Sequence, residues 1–225
     1  MSICALVGST DFNSEHFSSQ RFDCVIAVDA GYESLASIGC EPDLVVGDFD
    51  SLGYVPDGTN VQVHPSVKDE SDMELAIRLA ESRGCESFLM YGALAARLDH
   101  TIANLQLLVG CARRGMRAFG IGSDFAVAAL DGTGANALAF DAFDPQLLDA
   151  GSYGRFVSVF AFGGQALGVC ETGMKYQLRD AVLSDDVSRG LSNEFTGSAT
   201  GISLAHGSIV VTFGIGAWDH LIEAL

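Results

Sequence analysis

The sequence predicts an α/β fold in two parts: a parallel-sheet α/β domain over residues 1–123, followed by a smaller all-β domain over residues 124–225. Three observations carry this reading. Short continuous apolar runs alternate with helical periodicity through the first half, the pattern of a parallel sheet covered on both faces. From about Asp124 the helical period disappears. Beyond it, short β-like runs separated by glycine-rich breaks take over, the pattern of a sandwich or barrel.

The elements follow in order. Ile3–Gly8 is an apolar run ending in Gly-Ser-Thr, and Cys24–Asp29 is a second, ending in Asp-Ala-Gly. Tyr32–Ile38 predicts a short helix before Gly39. Asp43–Val46 is a third strand and Val61–His64 a weak fourth. Ser71–Arg83 predicts a helix, because Met73, Ala76, Ile77 and Ala80 recur at i, i+3, i+4 and i+7. Ser71 and Glu74 have the spacing of a capping box, and Gly84 closes the segment. Glu86–Tyr91 is a strand. Asp99–Arg114 predicts a second helix with Ile102, Leu105, Leu108 and Val109 on one face, and Met116–Ile121 one more strand. The first part is therefore Rossmann-like. The β-like runs beyond it are Phe125–Leu130, Ala135–Phe140, Phe156–Phe162, Tyr176–Leu183, Gly197–Leu204 and Ser208–Phe213.

Composition narrows the function. Hydrophobic residues make up 48% and charged residues 18%, which excludes a disordered chain. Twelve basic residues stand against 29 acidic ones, a net charge of -17. That excess argues against nucleic acid and an anionic membrane surface as partners. It leaves room for a phosphorylated ligand bridged by Mg²⁺. No run approaches the eighteen or so apolar residues of a membrane span. The first residues lack the basic and apolar regions of a signal peptide. Six cysteines stand at 4, 24, 40, 85, 111 and 170, with no C-x-x-C pair. Reduced, buried thiols of a cytoplasmic protein fit that pattern better than a zinc site.

Ligands of an open parallel sheet sit beyond the carboxyl ends of its strands. Asp29 ends the second predicted strand, and Asp48 and Asp50 follow the third. Asp72 lies in the first turn of one helix, and Asp99 is the expected N-cap of the other. All five are expected on one rim. In Gly47-Asp48-Phe49-Asp50-Ser51 an extended chain would put both carboxylates on one side and Phe49 on the other. Taken singly, each aspartate has an ordinary role in a turn, a cap or a helix dipole. Together they repel one another, which a bound cation relieves, and Mg²⁺ with a nucleotide polyphosphate is the ordinary occupant. Arg97 suits either a phosphate or a salt bridge to the rim. Lys68 and His100 are weaker candidates. No P-loop and no G-x-G-x-x-G follows a strand.

The chain resembles the thiamine pyrophosphokinase (thiamine diphosphokinase) family. The matching segments are Asp29-Ala-Gly, Pro42-Asp-Leu-Val-Val-Gly-Asp-Phe-Asp-Ser51 and Lys68-Asp-Glu-Ser-Asp-Met-Glu-Leu-Ala76. Tyr91-Gly-Ala-Leu-Ala-Ala-Arg-Leu-Asp-His-Thr-Ile-Ala-Asn104, Gly173-Met-Lys-Tyr-Gln-Leu178 and Leu191-Ser-Asn-Glu-Phe-Thr-Gly197 complete the set. The resemblance implies a C-terminal β-sandwich, a homodimer with sites between subunits, and Mg²⁺-dependent transfer of the β,γ-diphosphate of ATP to the thiamine hydroxyl. It implies Asp48, Asp50, Asp72 and Asp99 as metal and phosphate carboxylates, with Asp72, Asp50, Asp99 and Arg97 catalytic. It places Asp29, Ser71, His100 and Asn104 on the nucleotide side, and Ser192 and Asn193 beside thiamine. Two departures stand out: Ala95-Ala96-Arg97 replaces a Gly-Gly-Arg common in the family, and Trp218 lies beyond the tryptophan that stacks on thiamine in some members. The alternatives are a diphosphokinase acting on a hydroxymethyl pterin, and a non-catalytic thiamine or nucleotide-binding module.

Overall fold

A computed structural model of the chain describes residues 2–58, 60–65, 69–94, 97–148 and 153–222. The chain divides into two compact units: Met1–Asn104 with Gly120–Ser123, and Leu105–Phe119 with Asp124–Leu225.

The first unit is built on strands β1 (Ile3–Val7), β2 (Cys24–Val28), β3 (Leu44–Gly47), β4 (Val61–Val63) and β5 (Ser87–Tyr91), in the order β5-β1-β2-β3-β4. Every neighbouring pair among these is parallel. The chain therefore adds strands on one side of β1 until β4, then crosses to its other side for β5. The strands are continuously apolar because both faces are covered: Cys4, Ala5, Leu6, Ile26, Val46, Phe88 and Leu89 are buried. Helices α1 (Ser14–Ser19), α2 (Gly31–Ser37) and α3 (Asp72–Ser82) precede β2, β3 and β5, and α4 (Leu98–Arg113) follows β5. Helix α3 buries Met73, Ala76, Ile77 and Ala80, the face its periodicity predicts. Ser71 caps it in extended backbone, its hydroxyl accepting from the Glu74 N–H at 3.2 Å. The Glu74 carboxylate meets Arg78 at 2.8 Å.

Helix α4 departs from its expected face. It buries Asn104, Leu108, Val109, Cys111 and Ala112, while Ile102 is 48% exposed. The apolar stripe starts one turn later than the sequence pattern suggests. The helix also starts earlier, at Leu98, and the Arg97 carbonyl accepts from the Thr101 N–H. Asp99 is thus in the first turn and is not the N-cap. Strand β6 (Arg117–Ile121) follows, and the division between the units falls within α4 and β6.

The second unit contains β7 (Phe125–Asp131), β8 (Ala137–Phe140), β9 (Phe156–Ala161), β10 (Ala166–Thr172), β11 (Leu178–Leu183), β12 (Asn193–Glu194), β13 (Thr200–Ser203), β14 (Ser208–Gly214) and β15 (Leu221–Ile222). These pair antiparallel in two sets, β12-β9-β14-β7 and β11-β10-β13-β8-β15. Trp218 is buried in a 3₁₀ segment and packs edge-on against Phe119 at 5.1 Å, a packing residue.

Among the described residues no helix is long and apolar enough to cross a membrane.

Candidate active site

The carboxyl ends of the parallel strands open into a cleft of about 540 Å³ within the first unit. Gly8, Ser9 and Thr10 follow β1, Asp29 follows β2, and Gly92 and Ala93 follow β5. Ser71, Asp72 and Met73 reach it from the start of α3, and Arg97, Asp99, His100, Ala103 and Asn104 from the start of α4. Gly8 and Gly92 let the ends of β1 and β5 close up. A methyl on Gly8 would stand 2.6 Å from the Gly92 carbonyl oxygen, and one on Gly92, at φ +61, would stand 2.4 Å from that of Gly8. The cleft floor therefore requires both glycines.

Asp29, Asp48 and Asp50 converge at its rim. One carboxylate oxygen from each lies within 4.8 Å of the other two. The expected alternation delivers this result by a different route. Strand β3 stops at Gly47, and Phe49 adopts φ +60, so the chain turns rather than stays extended. Phe49 is still buried, at 3% exposure. A left-handed backbone carrying a buried aromatic is uncommon, and it is what swings Asp50 back beside Asp48. The Asp50 N–H donates to Asp48 Oδ1 at 3.2 Å, and the Ser51 hydroxyl donates to Asp50 Oδ1 at 3.1 Å. Asp29 is also left-handed, at φ +51. Its Oδ1 is buried and has no hydrogen-bond partner among the described residues. Burial raises its carboxyl above the ordinary range; Ser51 offsets part of this, and Asp72 and Asp48 add to the rise. Hard oxygen donors gathered this closely, one of them unpaired, fit a divalent cation such as Mg²⁺.

Arg97 and Asp99 face each other in a two-point pair, Nη2 to Oδ2 at 2.6 Å and Nε to Oδ1 at 3.2 Å. The guanidinium holds the Asp99 carboxyl down to about 2. Of the two roles open to Arg97 in the sequence, this conformation displays the ion pair. The His100 N–H donates to Asp99 Oδ1 at 3.0 Å. Asn104 is buried, and its Nδ2 donates to the Ala93 carbonyl at 2.6 Å, tying α4 to the loop after β5.

Ser192 and Asn193 belong to the second unit. Ser192 is exposed at φ +57, with its N–H donating to the Ser158 hydroxyl at 2.9 Å. The Asn193 side chain is fully engaged. Its Nδ2 donates to Glu171 Oε2 at 2.7 Å and to the Tyr176 carbonyl at 2.6 Å; its Oδ1 accepts from the N–H groups of Tyr176 and Glu194, each at 2.9 Å. Burial raises the Glu171 carboxyl, with Asn193 and Arg189 pulling it back.

Asp29 thus joins Asp48 and Asp50, while Asp72 and Asp99 line the same cleft from two helices. Sequence reasoning missed the lining role of Gly8-Ser9-Thr10, Ser51 and Ala93. The Gly-Ser-Thr ending of the first apolar run was the available signal. Lys68, Ala95 and Ala96 lie outside the described residues.

Known proteins match this arrangement along most of the chain. The pattern of the thiamin pyrophosphokinase catalytic domain fits residues 18–119, and that of the thiamin pyrophosphokinase vitamin B1 binding domain fits residues 146–209. The thiamine pyrophosphokinase of Bacillus subtilis is 24% identical over 199 residues, covering 83% of this chain and 85% of that protein. The crystal structure of thiamine pyrophosphokinase from Bacillus subtilis superposes with a TM-score of 0.77 at 19% identity, covering 95% of this chain and 99% of the other. That of the Candida albicans thiamin pyrophosphokinase gives 0.74 at 15% identity, covering 95% and 88%. At such identities the structures speak for the fold, whereas the two sequence patterns, in order and spanning both units, reach further. With the aspartates of its cleft inside the catalytic-domain match, the chain belongs to the thiamine pyrophosphokinase family.

Proposed function

We propose that this chain is a thiamine diphosphokinase that transfers the β,γ-diphosphate of ATP to the hydroxyl of thiamine. The observation that carries the proposal is the convergence of Asp48 and Asp50 on Asp29, which lines a cleft at the carboxyl ends of parallel strands. The vitamin B1 binding match over residues 146–209 supplies the acceptor.

In this reading the thiamine hydroxyl oxygen attacks the β-phosphorus of ATP. The bond from that phosphorus to the α-phosphate bridging oxygen breaks, and AMP departs. The hydroxyl proton passes to a carboxylate, for which Asp72 is our assignment. Asp48 and Asp50, with Asp29, hold Mg²⁺, and Asp72 and Asp99 complete the acidic surroundings. When bound, Mg²⁺ shields the phosphate charge that an acidic protein would otherwise repel. Arg97 leaves Asp99 for a phosphate. Ser71, His100 and Asn104 shape the nucleotide side. Ser192 offers its exposed hydroxyl to thiamine, and Asn193 positions the segment. The acidic rim also attracts the cationic thiazolium.

We further read residues 1–123 as a Rossmann-like domain for ATP and metal, and 124–225 as a β-sandwich contributing to the thiamine site and to a homodimer. The protein is then cytoplasmic, with neither nucleic acid nor membrane as partner.

The test is an assay with ATP, Mg²⁺ and thiamine that follows AMP. AMP released only with thiamine supports the proposal. Tight thiamine binding without AMP indicates a binding module, and AMP only with a hydroxymethyl pterin indicates the sister chemistry. Asp72→Asn is expected to lose turnover by about 10²-fold or more. Near-normal turnover in that variant, alongside an inactive Asp50→Asn, sinks the assignment of the proton acceptor.

A further inference from the structure

Three cysteines with unremarkable spacing meet at one point. Cys4 on β1 and Cys24 on β2 are register partners on adjacent parallel strands, so their side chains leave the sheet on the same face. Cys85 lies two residues before β5, where Ser87 pairs with Ile3. One sulfur from each lies within 4.8 Å of the other two. All three thiols are free and buried, at 0%, 8% and 5% exposure in chain order. The cluster sits at the amino ends of the strands, whereas the acidic cleft lies beyond their carboxyl ends. The four residues from Cys4 to Gly8 span about 13 Å of strand.

We propose that Cys4, Cys24 and Cys85 form a soft-metal site that takes one thiophilic d¹⁰ cation, with Zn²⁺ the divalent ion it suits. Zinc–thiolate bonds of about 2.3 Å place sulfurs about 3.8–4.0 Å apart, so the cluster closes on an ion with side-chain shifts of under an ångström. Two of the three ligands stand on strands of the central sheet, which fixes their separation before any metal arrives. Thiolate donors exclude the hard cations suited to the carboxylate cleft, so the two sites do not compete for Mg²⁺.

Protonation favours the same assignment. The Cys4 S–H donates to the Ala5 carbonyl at 3.5 Å, and the neighbouring Cys4 and Arg83 draw the Cys24 thiol down against burial. Cys24 and burial push Cys4 up, and burial raises Cys85. A divalent ion forms three metal–sulfur bonds and displaces to solvent the thiol protons still bound. The resulting centre carries one net negative charge, which the Arg83 guanidinium faces, with Asp43 opposing it. The Ser2 hydroxyl, 3.9 Å from the Cys85 sulfur, provides an oxygen for the fourth position. Asp23, Arg83, Gly84 and Glu86 on the flanking loops are exposed, so an ion has a short path in.

Titration of the reduced full chain with Cd²⁺ and Zn²⁺ tests this. Sulfur ligation gives a thiolate-to-cadmium charge-transfer band in the near ultraviolet, and the cleft carboxylates give none. We expect the band to saturate at one equivalent. Zn²⁺ binding should release protons, and stoichiometric Zn²⁺ should raise the melting temperature. Cys24→Ala and Cys85→Ala should each weaken binding 100-fold or more, while Cys40→Ala and Cys170→Ala keep it. If the alanine variants do not fold, the wild-type titration alone decides. No saturable band, a band without a break at one equivalent, or a band that survives in folded Cys24→Ala overturns the proposal.

Discussion

Asp29 in the first unit and Asp131 in the second are two aspartates at strand ends with opposite surroundings. Asp131 closes β7 at 4% exposure. Its Oδ1 accepts from the Thr133 N–H at 2.9 Å and the Thr133 hydroxyl at 2.5 Å; its Oδ2 accepts from the Ser208 hydroxyl at 2.6 Å, with Arg113 at 3.5 Å. Burial alone would raise this carboxyl, but the Ser208 and Thr133 hydrogen bonds outweigh it and leave it lowered. Asp29 has a buried oxygen without a partner and two further aspartates against it, and it is raised. Asp131 is satisfied by its own fold, whereas Asp29 keeps a buried oxygen that no described residue pairs. A cluster of acids is informative only when its hydrogen bonds are accounted for, and the contrast with Asp131 supports the functional role proposed for the rim of the cleft.

The largest effects should separate the two regions cleanly. Asp50→Asn is expected to lower turnover by roughly 10²-fold or more while leaving the melting temperature unchanged, because Asp50 is exposed and supports no buried network. Asp131→Asn should do the reverse. It turns an accepting oxygen into an NH₂ group facing the Ser208 and Thr133 donors, at a cost of about 2–3 kcal/mol. Turnover per folded molecule should stay near wild type. Thermal melts and AMP release on the same two preparations decide it. A destabilised Asp50→Asn, or an inactive but stable Asp131→Asn, breaks the comparison.

A smaller effect should appear in pH dependence, measured with a chelator present. The Asp29 carboxyl is raised in the fold, so its contribution to stability is full below its unfolded pKa and lost as pH rises through the folded value. The Asp131 carboxyl is lowered, so its contribution is present above its unfolded pKa and lost as pH falls through the folded value. Asp29→Asn should therefore be more stable than wild type near pH 7, with the gain fading on acidification. Asp131→Asn should be less stable near pH 7, with the deficit fading on acidification. Each slope amounts to a few degrees of melting temperature, roughly. Slopes of the same sign in melts from pH 3.5 to 7 contradict the assignment of one carboxylate as satisfied and the other as not.

Much of the first unit was legible, because its signals are local. Continuous apolar runs gave the parallel strands, and the Met73, Ala76, Ile77 and Ala80 spacing gave the buried face of α3. Helix α1 escaped because six residues with one buried side chain, Phe17, carry no amphipathic period. Strand β10 escaped because its register shifts twice against β11, around Gly168 at φ +65, which breaks the alternation a strand is read by. At the site, the sequence named every aspartate but not the turn at Phe49, since nothing in Gly-Asp-Phe-Asp-Ser announces a left-handed aromatic. The engagement of Asn193 with Glu171 was also hidden, for it joins residues from two different strands. The meeting of Cys4, Cys24 and Cys85 depends on sheet order, which spacing along the chain does not contain.

The smallest stability effect belongs to Arg97 and Asp99, whose side chains are 67% and 66% exposed. An exposed ion pair contributes little to folding, because water and salt screen the attraction and both side chains lose freedom in forming it. Asp99→Asn should leave the melting temperature where it was. The pair should still be visible in titration, since the guanidinium hydrogen bond holds the Asp99 carboxyl down to about 2. Carboxyl NMR should find it moving up in Arg97→Gln, and also in wild type at 1 M salt, where the screening length is about 3 Å. An Asp99 carboxyl that stays low in Arg97→Gln shows that Arg97 is not the cause. The weakness of the pair suits the role proposed for it. In the proposed reading Asp99 keeps the guanidinium at the mouth of the cleft, and a phosphate carrying more charge would displace it without a large conformational penalty. A buried, fully desolvated pair would hold Arg97 too firmly for that exchange.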